Sequence, residues 1–190
     1  MLNKKYLQLL RGQVLGYAVK RREVIKIAGD AQHHAKRAIF AFQRDDKEAG
    51  EESLRLANDL LIALNKKFKG EKALFDEGSY LAATEEYVES YLFHQFWQGK
   101  ELGKITGLIV DADTYIGGLC DLPGELYRYA IKSATAKNLS MVEKCYKVSE
   151  EIIGELMDMD LTGYNRNKFD QAKQALHKLE QVVYEVNLRK

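Results

Sequence analysis

A single proline, Pro123, occurs among the 190 residues of the chain. Proline interrupts helices and favours turns because its ring fixes φ and removes the backbone N–H. A sequence with almost no proline can therefore form long helices without interruption. Apolar residues also recur every three to four positions through most of the chain, which is the spacing of one helical face. We predict an all-α fold.

Length and charge limit the classes of protein to which the chain can belong. A chain of this length fits one domain, and we expect residues 1–190 to form a single helical unit. Its 29 Lys and Arg nearly balance its 28 Asp and Glu, so bulk charge does not predict binding to nucleic acid or membrane. Cys120 and Cys145 have no metal-binding spacing and are expected to be reduced packing thiols. With no signal peptide and no apolar run of about 20 residues, we expect a cytoplasmic protein without membrane association.

Periodicity and turn residues predict about seven helices. Ser79 is the expected N-cap of the central helix, and the run Ser140-Met141-Val142-Glu143 is a capping box at the start of another. Pro123 should kink or loosen its own helix. The predicted helices are Leu2 to about Arg44 (one helix or two in tandem), Lys47 to Phe68, Lys72 to Asp76, Ser79 to Gln98, Thr114 to Lys137, Ser140 to Met157 and Lys168 to Val186.

Two pairs of acidic residues lie on apolar helices. Glu86 and Glu89 are three residues apart, and Asp121 and Glu125 are four apart, so each pair projects from one helical face. Carboxylates on apolar helices carry a desolvation cost that a bound cation can offset. Two other interpretations stay open. The glutamates can belong to a solvated face, and Arg128 can pair with Glu125 within its helix.

Spacing separates several chemistries that use acidic helices. A di-iron bundle needs a Glu-x-x-His motif on each of two helices, and the chain contains none. The all-α nucleoside triphosphate pyrophosphatases have the Glu-Glu-x-x-Glu run formed by Glu85, Glu86 and Glu89, but their following Glu-x-x-Asp is absent. The four histidines form no ligand set, and His94 is expected to be a packed or surface side chain. Basic residues at Lys36, Arg37 and Arg44 can neutralise phosphates or only solvate a helix.

Several of these runs resemble the translin family. The resemblance is carried by residues 86–89 (Glu-Tyr-Val-Glu), by residues 115–128 (Tyr-Ile-Gly-Gly-Leu-Cys-Asp-Leu-Pro-Gly-Glu-Leu-Tyr-Arg) and by the C-terminal runs 168–170 and 179–189. Residues 36–40 and Arg44 are similar to the first helix of the family. The presence of both acidic motifs resembles the catalytic branch, that of translin-associated factor X. Departures from the family pattern occur at Thr114, at the order of His94 and Gln95, and at Pro123, which could shift Asp121.

The resemblance implies a magnesium-dependent endoribonuclease that cleaves single-stranded RNA, with Mn²⁺ as an alternative metal and DNA as a second nucleic acid. It implies seven helices per subunit and a homo-oligomer, specifically an octamer. By this resemblance Glu86, Glu89, Asp121 and Glu125 are catalytic metal ligands. The expected nucleic-acid-binding residues are Lys36, Arg37, Arg44 and Arg128. The alternatives are a non-catalytic protein that binds single-stranded RNA or DNA, and a purely structural helical oligomer.

Overall fold

The computed structural model describes residues 1–188, in which there are seven α-helices and no strand. The all-α prediction is therefore confirmed for this part of the chain. Arg189, the last residue of the C-terminal run that resembles the translin family, lies outside the described residues. The helices are α1 (Lys4–Phe42), α2 (Lys47–Lys67), α3 (Lys72–Phe75), α4 (Gly78–Trp97), α5 (Ala112–Thr135), α6 (Leu139–Met157) and α7 (Gly163–Leu188).

Helix starts differ most from the sequence predictions. The predicted N-cap Ser79 lies inside the first turn of α4, whose N-cap is Glu77. The predicted capping box at Ser140 was also wrong, because Asn138 caps α6 by accepting a hydrogen bond from the Met141 N–H at 3.2 Å. Helix α7 begins at Gly163, before the predicted Lys168. Its first turn is held by a tertiary contact in which the Asn165 amide donates to the Asp113 carbonyl at 3.1 Å.

Helix α5 continues through Pro123 as one element. Proline cannot donate the usual backbone hydrogen bond to the residue four positions earlier, yet the helix does not end there. Pro123 itself is buried, as are Leu122 and Leu126 beside it. Packing of this apolar face therefore keeps the turn that carries Asp121 and Glu125 helical.

Two groups of helices pack around a common core. Helix α1 packs against α2 and α4, whereas α5 packs against α6 and α7. The contact between α4 and α5 joins the two groups. Buried residues of α4 such as Val88, Leu92 and Phe93 lie in the same core cluster as Leu122 and Leu126 of α5. The two acid-bearing helices thus lie side by side in the middle of the fold.

None of the helices in residues 1–188 combines the length and apolar character needed to cross a membrane.

Candidate active site

Close packing of α4 and α5 brings the two acidic pairs to one place. A Cβ atom at Gly118 would lie only 2.7 Å from the Glu85 carbonyl oxygen and 2.7 Å from the Val88 Cβ. The backbones can approach this closely because glycine has no side chain. Glu86 and Glu89 of α4 and Asp121 and Glu125 of α5 all lie within two turns of this contact. We call Glu86, Glu89, Asp121 and Glu125 the acidic cluster.

Glu89 is the most enclosed member of the acidic cluster, with 7% of its surface exposed. Burial raises the pKa of Glu89 well above its usual range, and the negative charges of Asp121, Glu125 and Glu86 raise it further. The structure therefore brings all four predicted carboxylates into electrostatic contact. Glu89, Asp121 and Glu125 line one cavity of 520 Å³, and Glu86 and Glu125 line a second cavity of 750 Å³.

Two outer members of the acidic cluster are held by basic or amide side chains. The Lys36 ammonium lies 3.5 Å from Glu86 Oε2. Arg128 donates to Glu125 Oε1 at 2.9 Å, which is the intrahelical pair that the sequence left open, and Gln43 donates to Glu125 Oε2 at 3.0 Å. Burial nevertheless raises the pKa of both Glu86 and Glu125, with Lys36 and Arg128 opposing the rise.

Lys168 of α7 is a site residue that the sequence analysis did not identify. Its ammonium lies 2.7 Å from Glu85 Oε1 and also forms an ion pair with Asp121. The Tyr164 hydroxyl donates to the same Glu85 oxygen at 2.9 Å. Only 12% of the Lys168 side chain is exposed, so this is an enclosed pair of contacts. The run 168–170 belongs to the family resemblance, but nothing in the spacing of α7 shows that Lys168 reaches α4 and α5.

The charges of Lys168 and Asp121 influence each other strongly. Burial alone would lower the pKa of Lys168, but its hydrogen bonds to Asp121 and Glu85 outweigh burial and raise it. Burial raises the pKa of Asp121, and the Lys168 ammonium opposes this change. Lys168 is therefore protonated and compensates the negative charge at the side of the acidic cluster that faces α7.

The four carboxylates are of the ligand type that suits a hard divalent ion, but within residues 1–188 they are not arranged as a complete metal site. Carboxylate oxygens are the natural ligands of hard divalent ions, and both burial and three neighbouring carboxylates raise the pKa of Glu89. Among residues 1–188, however, no group of three or more His, Cys, Asp or Glu side chains is arranged to hold a metal ion. Three carboxylates instead contact Lys36, Lys168 and Arg128, so a divalent ion would have to compete with these cations.

Predicted basic residues surround the two carboxylates nearest α1. Lys36, Arg37 and Arg128 line the 750 Å³ cavity together with Glu86 and Glu125. Arg44 instead lines a neighbouring 380 Å³ cavity, together with Arg37. Three of the four predicted nucleic-acid-binding residues thus line a cavity with members of the acidic cluster, and Arg44, in the turn that follows α1, lines the neighbouring cavity.

His94 and the two cysteines occupy packed positions, as the sequence predicted for them. His94 stacks on Phe42 with ring centroids 4.7 Å apart, and burial lowers its pKa. Cys120 and Cys145 are both buried and unpaired. Burial raises the pKa of each thiol to about 12, which keeps them protonated and unreactive at neutral pH.

The sequence model of one protein family, described as the translin family, matches residues 19–190. The chain belongs to the translin family. Among curated proteins, this translin-family chain is 25% identical over 144 residues to an uncharacterized protein of Methanocaldococcus jannaschii. That match covers 74% of this chain but spans only 63% of the length of the relative.

Solved structures show the same fold for the translin-family chain. The crystal structure of apo-NeC3PO superposes with a TM-score of 0.86, at 19% identity, over 98% of each chain. AfC3PO has a TM-score of 0.85 at 22% identity, over 97% of this chain and 98% of its own. A complex of AfC3PO with duplex RNA gives 0.85 at 20% identity and the same coverage. Membership of the catalytic branch stays a prediction from the two acidic motifs.

Proposed function

We propose that the chain is a metal-dependent endoribonuclease that cleaves single-stranded RNA, with single-stranded DNA as a second ligand. The observation that carries the proposal is the position of the acidic cluster, of which Glu89 is buried and the other members are half-buried, directly beside basic residues of α1 and α5. Glu86 and Glu125 share one cavity with Lys36, Arg37 and Arg128. Membership of the translin family and the duplex RNA bound by AfC3PO support RNA as the ligand.

Each part of the site has a defined task in this proposal. Lys36, Arg37 and Arg128 hold phosphates of the RNA backbone by charge-assisted hydrogen bonds, which position the strand without reading its bases. Glu86, Glu89, Asp121 and Glu125 would hold Mg²⁺, or Mn²⁺. A bound divalent ion supplies an activated water and stabilises negative charge on the scissile phosphate. Because the pKa of Glu89 is raised, metal binding should release a proton from the acidic cluster.

Cleavage of end-labelled single-stranded RNA tests the proposal directly. We expect the purified protein to cut the RNA in Mg²⁺ or Mn²⁺ and to leave it intact in EDTA. Glu89→Gln removes the central carboxylate at nearly constant shape and should reduce cleavage at least about a hundredfold, as removal of a key group typically does. The exposed Glu143, on α6 and paired with Lys147, gives a matched control, and Glu143→Gln should cleave normally. Intact RNA under every metal condition would contradict the proposal.

Salt dependence tests the proposed basic residues. A protein that neutralises several phosphates loses affinity steeply as salt rises, because condensed counterions are released on binding. We expect single-stranded RNA binding to weaken strongly between low and high salt, and Lys36→Gln or Arg37→Gln to flatten that slope. An unchanged binding midpoint across the salt series would exclude these residues from the interface.

A non-catalytic RNA-binding protein is the second candidate function. The contacts of Lys36, Lys168 and Arg128 with the acidic cluster favour it, because these cations already compensate much of the negative charge. Such a protein would retard RNA on a gel without cutting it in any metal. Metal-dependent cleavage that is lost in Glu89→Gln separates the first candidate from this one.

We also propose that the chain assembles with copies of itself, as an octamer by its resemblance to the translin family. Large apolar side chains are exposed on the first turns of α1, and soluble proteins seldom leave such a stripe facing water. The exposed residues are Tyr6, Leu7, Leu9, Val14, Leu15 and Val19. A partner subunit of the same chain would cover them.

A further inference from the structure

Phe40 is an exposed aromatic side chain of α1, between the basic residues Lys36 and Arg37 on one side and Arg44 on the other. Its exposed fraction is 62%, although the neighbouring Ile39 and Ala41 are buried. The ring lines the 750 Å³ cavity that contains Glu86 and Glu125. It also lines the 380 Å³ cavity that contains Arg37 and Arg44. Phe40 is therefore a wall shared by two adjacent cavities, one of which reaches the acidic cluster.

Cationic groups surround this ring. The Arg44 guanidinium carbon lies 5.3 Å from the centre of the Phe40 ring, a distance within the range of a cation–π interaction. Lys36 and Arg128 line the 750 Å³ cavity, and Arg37 lines both cavities. A single exposed phenylalanine is by itself ordinary. An exposed ring with basic side chains on each side is the arrangement that binds a flat base together with its flanking phosphates.

We propose that Phe40 is a stacking site for one unpaired base of a single-stranded RNA. Arg37 and Arg44 would hold the phosphate on one side of this base, and Lys36 and Arg128 the phosphate on the side that leads to the acidic cluster. This inference rests on the proposed function, since it takes RNA as the ligand. It adds a binding residue and a physical reason why the site prefers a single strand.

A second copy of the chain is a poorer occupant of this surface. A symmetric contact between two copies would bring the same patch against itself. Lys36 and Arg128 are paired with Glu86 and Glu125. Arg37 and Arg44 form no ion pair within residues 1–188 and would face the same two cations of the partner, and like charges placed together weaken association. A polyanion with exposed aromatic bases would not be repelled by these cations. The positive charge around Phe40 therefore favours nucleic acid over protein at this surface.

The contribution of Phe40 to RNA binding should depend on whether the RNA is single-stranded or double-stranded. In a duplex the bases are already stacked and paired, so none is available for the ring, and binding depends on backbone contacts. In a single strand each base has a free face, and an aromatic partner typically strengthens binding about fivefold to a hundredfold or more per base. Removing the ring should therefore weaken single-strand binding without changing duplex binding.

The experiment compares Phe40→Leu, which keeps apolar bulk but loses the aromatic face, with Phe40→Trp, which keeps a larger one. Binding is measured in EDTA by fluorescence anisotropy with three labelled probes. These are an unstructured single-stranded RNA, the same RNA as a duplex, and an abasic strand of equal length. We expect Phe40→Leu to bind the single strand about tenfold more weakly, and Phe40→Trp to bind it as tightly as the wild type. Both variants should bind the duplex and the abasic strand within twofold of the wild type.

Other outcomes overturn the proposal in recognisable ways. Phe40→Leu that binds the single strand like the wild type removes the stacking role but leaves the proposed function intact. An equal loss on all three probes, with a changed elution volume in size-exclusion chromatography, places Phe40 at a contact between subunits instead. A wild-type protein that binds none of the probes defeats the proposed function itself, and the stacking site with it.

Discussion

At the scale of single residues, Lys168 supplies a positive charge that compensates a carboxylate of the acidic cluster. Within residues 1–188, Lys168 is the only cation that forms ion pairs with carboxylates of two different helices. These are Glu85 of α4 and Asp121 of α5. A buried carboxylate without compensation would be costly. In the protein without metal, Lys168 provides this compensation for Asp121, and a divalent ion that binds Asp121 must replace part of it.

Lys168→Met tests this role through stability. Loss of one partner of a buried ion pair costs about 3–5 kcal/mol, and the partial exposure of Lys168 reduces our expectation to about 2 kcal/mol. Mn²⁺ should raise the Tm of Lys168→Met more than that of the wild type, because the ion no longer competes with the ammonium. Lys173→Met, which removes a surface pair with Asp170, should cost less than about 1 kcal/mol and leave the Mn²⁺ effect unchanged. Equal Tm shifts in all three proteins would show that Lys168 does not compete with metal.

The raised pKa of Glu89 predicts how the free energy of unfolding depends on pH. The folded protein holds the Glu89 proton more tightly than the unfolded chain does, because burial and three carboxylates disfavour its charged form. The free energy of unfolding should therefore fall as pH rises from the usual Glu range, near 4.5, through the raised pKa of Glu89. The Glu89→Gln variant has no titratable group at this position, so its stability should not show this fall.

Thermal unfolding in EDTA at pH 5 and pH 8 measures this effect. At pH 8 we expect Glu89→Gln to exceed the wild type by roughly 3 °C in Tm, corresponding to about 1 kcal/mol in a chain of this size. At pH 5 the difference should shrink or disappear. Glu143→Gln, at an exposed position on α6, should show no such pH-dependent gain. A Glu89→Gln protein that is less stable than the wild type at pH 8 would mean that the Glu89 charge is already compensated.

At the scale of elements, the site depends on how closely α4 and α5 pack. Gly118 sets this distance, since any Cβ there would collide with the Glu85 carbonyl and Val88. Both acidic pairs lie within a few turns of this contact. A small increase in the separation of the helices would therefore move Glu86 and Glu89 away from Asp121 and Glu125 together.

Gly118→Ala should consequently damage stability and activity in one step. We expect a loss of about 3 kcal/mol in the free energy of unfolding, the upper range for overpacking, and loss of metal-dependent cleavage. Gly154 lies at an exposed position of α6 with nothing within 4 Å of its Cβ position. Gly154→Ala should instead gain up to about 1 kcal/mol from helix propensity and keep its activity. Chemical denaturation of the two variants makes the comparison, and equal effects would exclude close packing as the cause.

At the scale of the whole molecule, the first turns of α1 form an arm, residues 4–16. Every residue of the arm except Leu10 is exposed, and the arm precedes the segment that matches the translin family. Its base is held by Tyr17 and Arg21, which bond to Glu77 at 3.1 and 2.6 Å. An isolated helix of about 12–15 residues is marginal in water, so the arm should gain its stability from a second subunit.

Charge substitutions on the arm test this assembly. The double variant Leu9→Glu, Val14→Glu places two carboxylates in the apolar stripe and should shift the protein to a smaller species in size-exclusion chromatography with light scattering. The double variant Gln8→Glu, Gln13→Glu adds the same charge on the same turns at polar, exposed positions, and should assemble like the wild type. Identical masses for both variants would show that the arm lies outside the subunit contacts.

Local signals in the chain were sufficient for the helices but not for all of their ends. Helical spacing and the near absence of proline predict the seven helices, because both act over a few residues. Boundaries were less predictable, since Asn138 and Ser140 compete as caps and only the backbone geometry decides between them. The exposed apolar residues of the arm also show the limit of periodicity, because a face that awaits a partner has the same pattern as a core face.

For the site, residue type and spacing predicted the four carboxylates, and family resemblance assigned their role. Each acidic pair is local to one helix, so its two members could be recognised together. The tertiary structure alone decided which other side chains meet them. Lys168 reaches Asp121 from α7, Gln43 reaches Glu125 from the end of α1, and Phe40 is exposed between two cavities. These contacts join residues far apart in the chain, and they depend on how helices pack rather than on any short-range pattern.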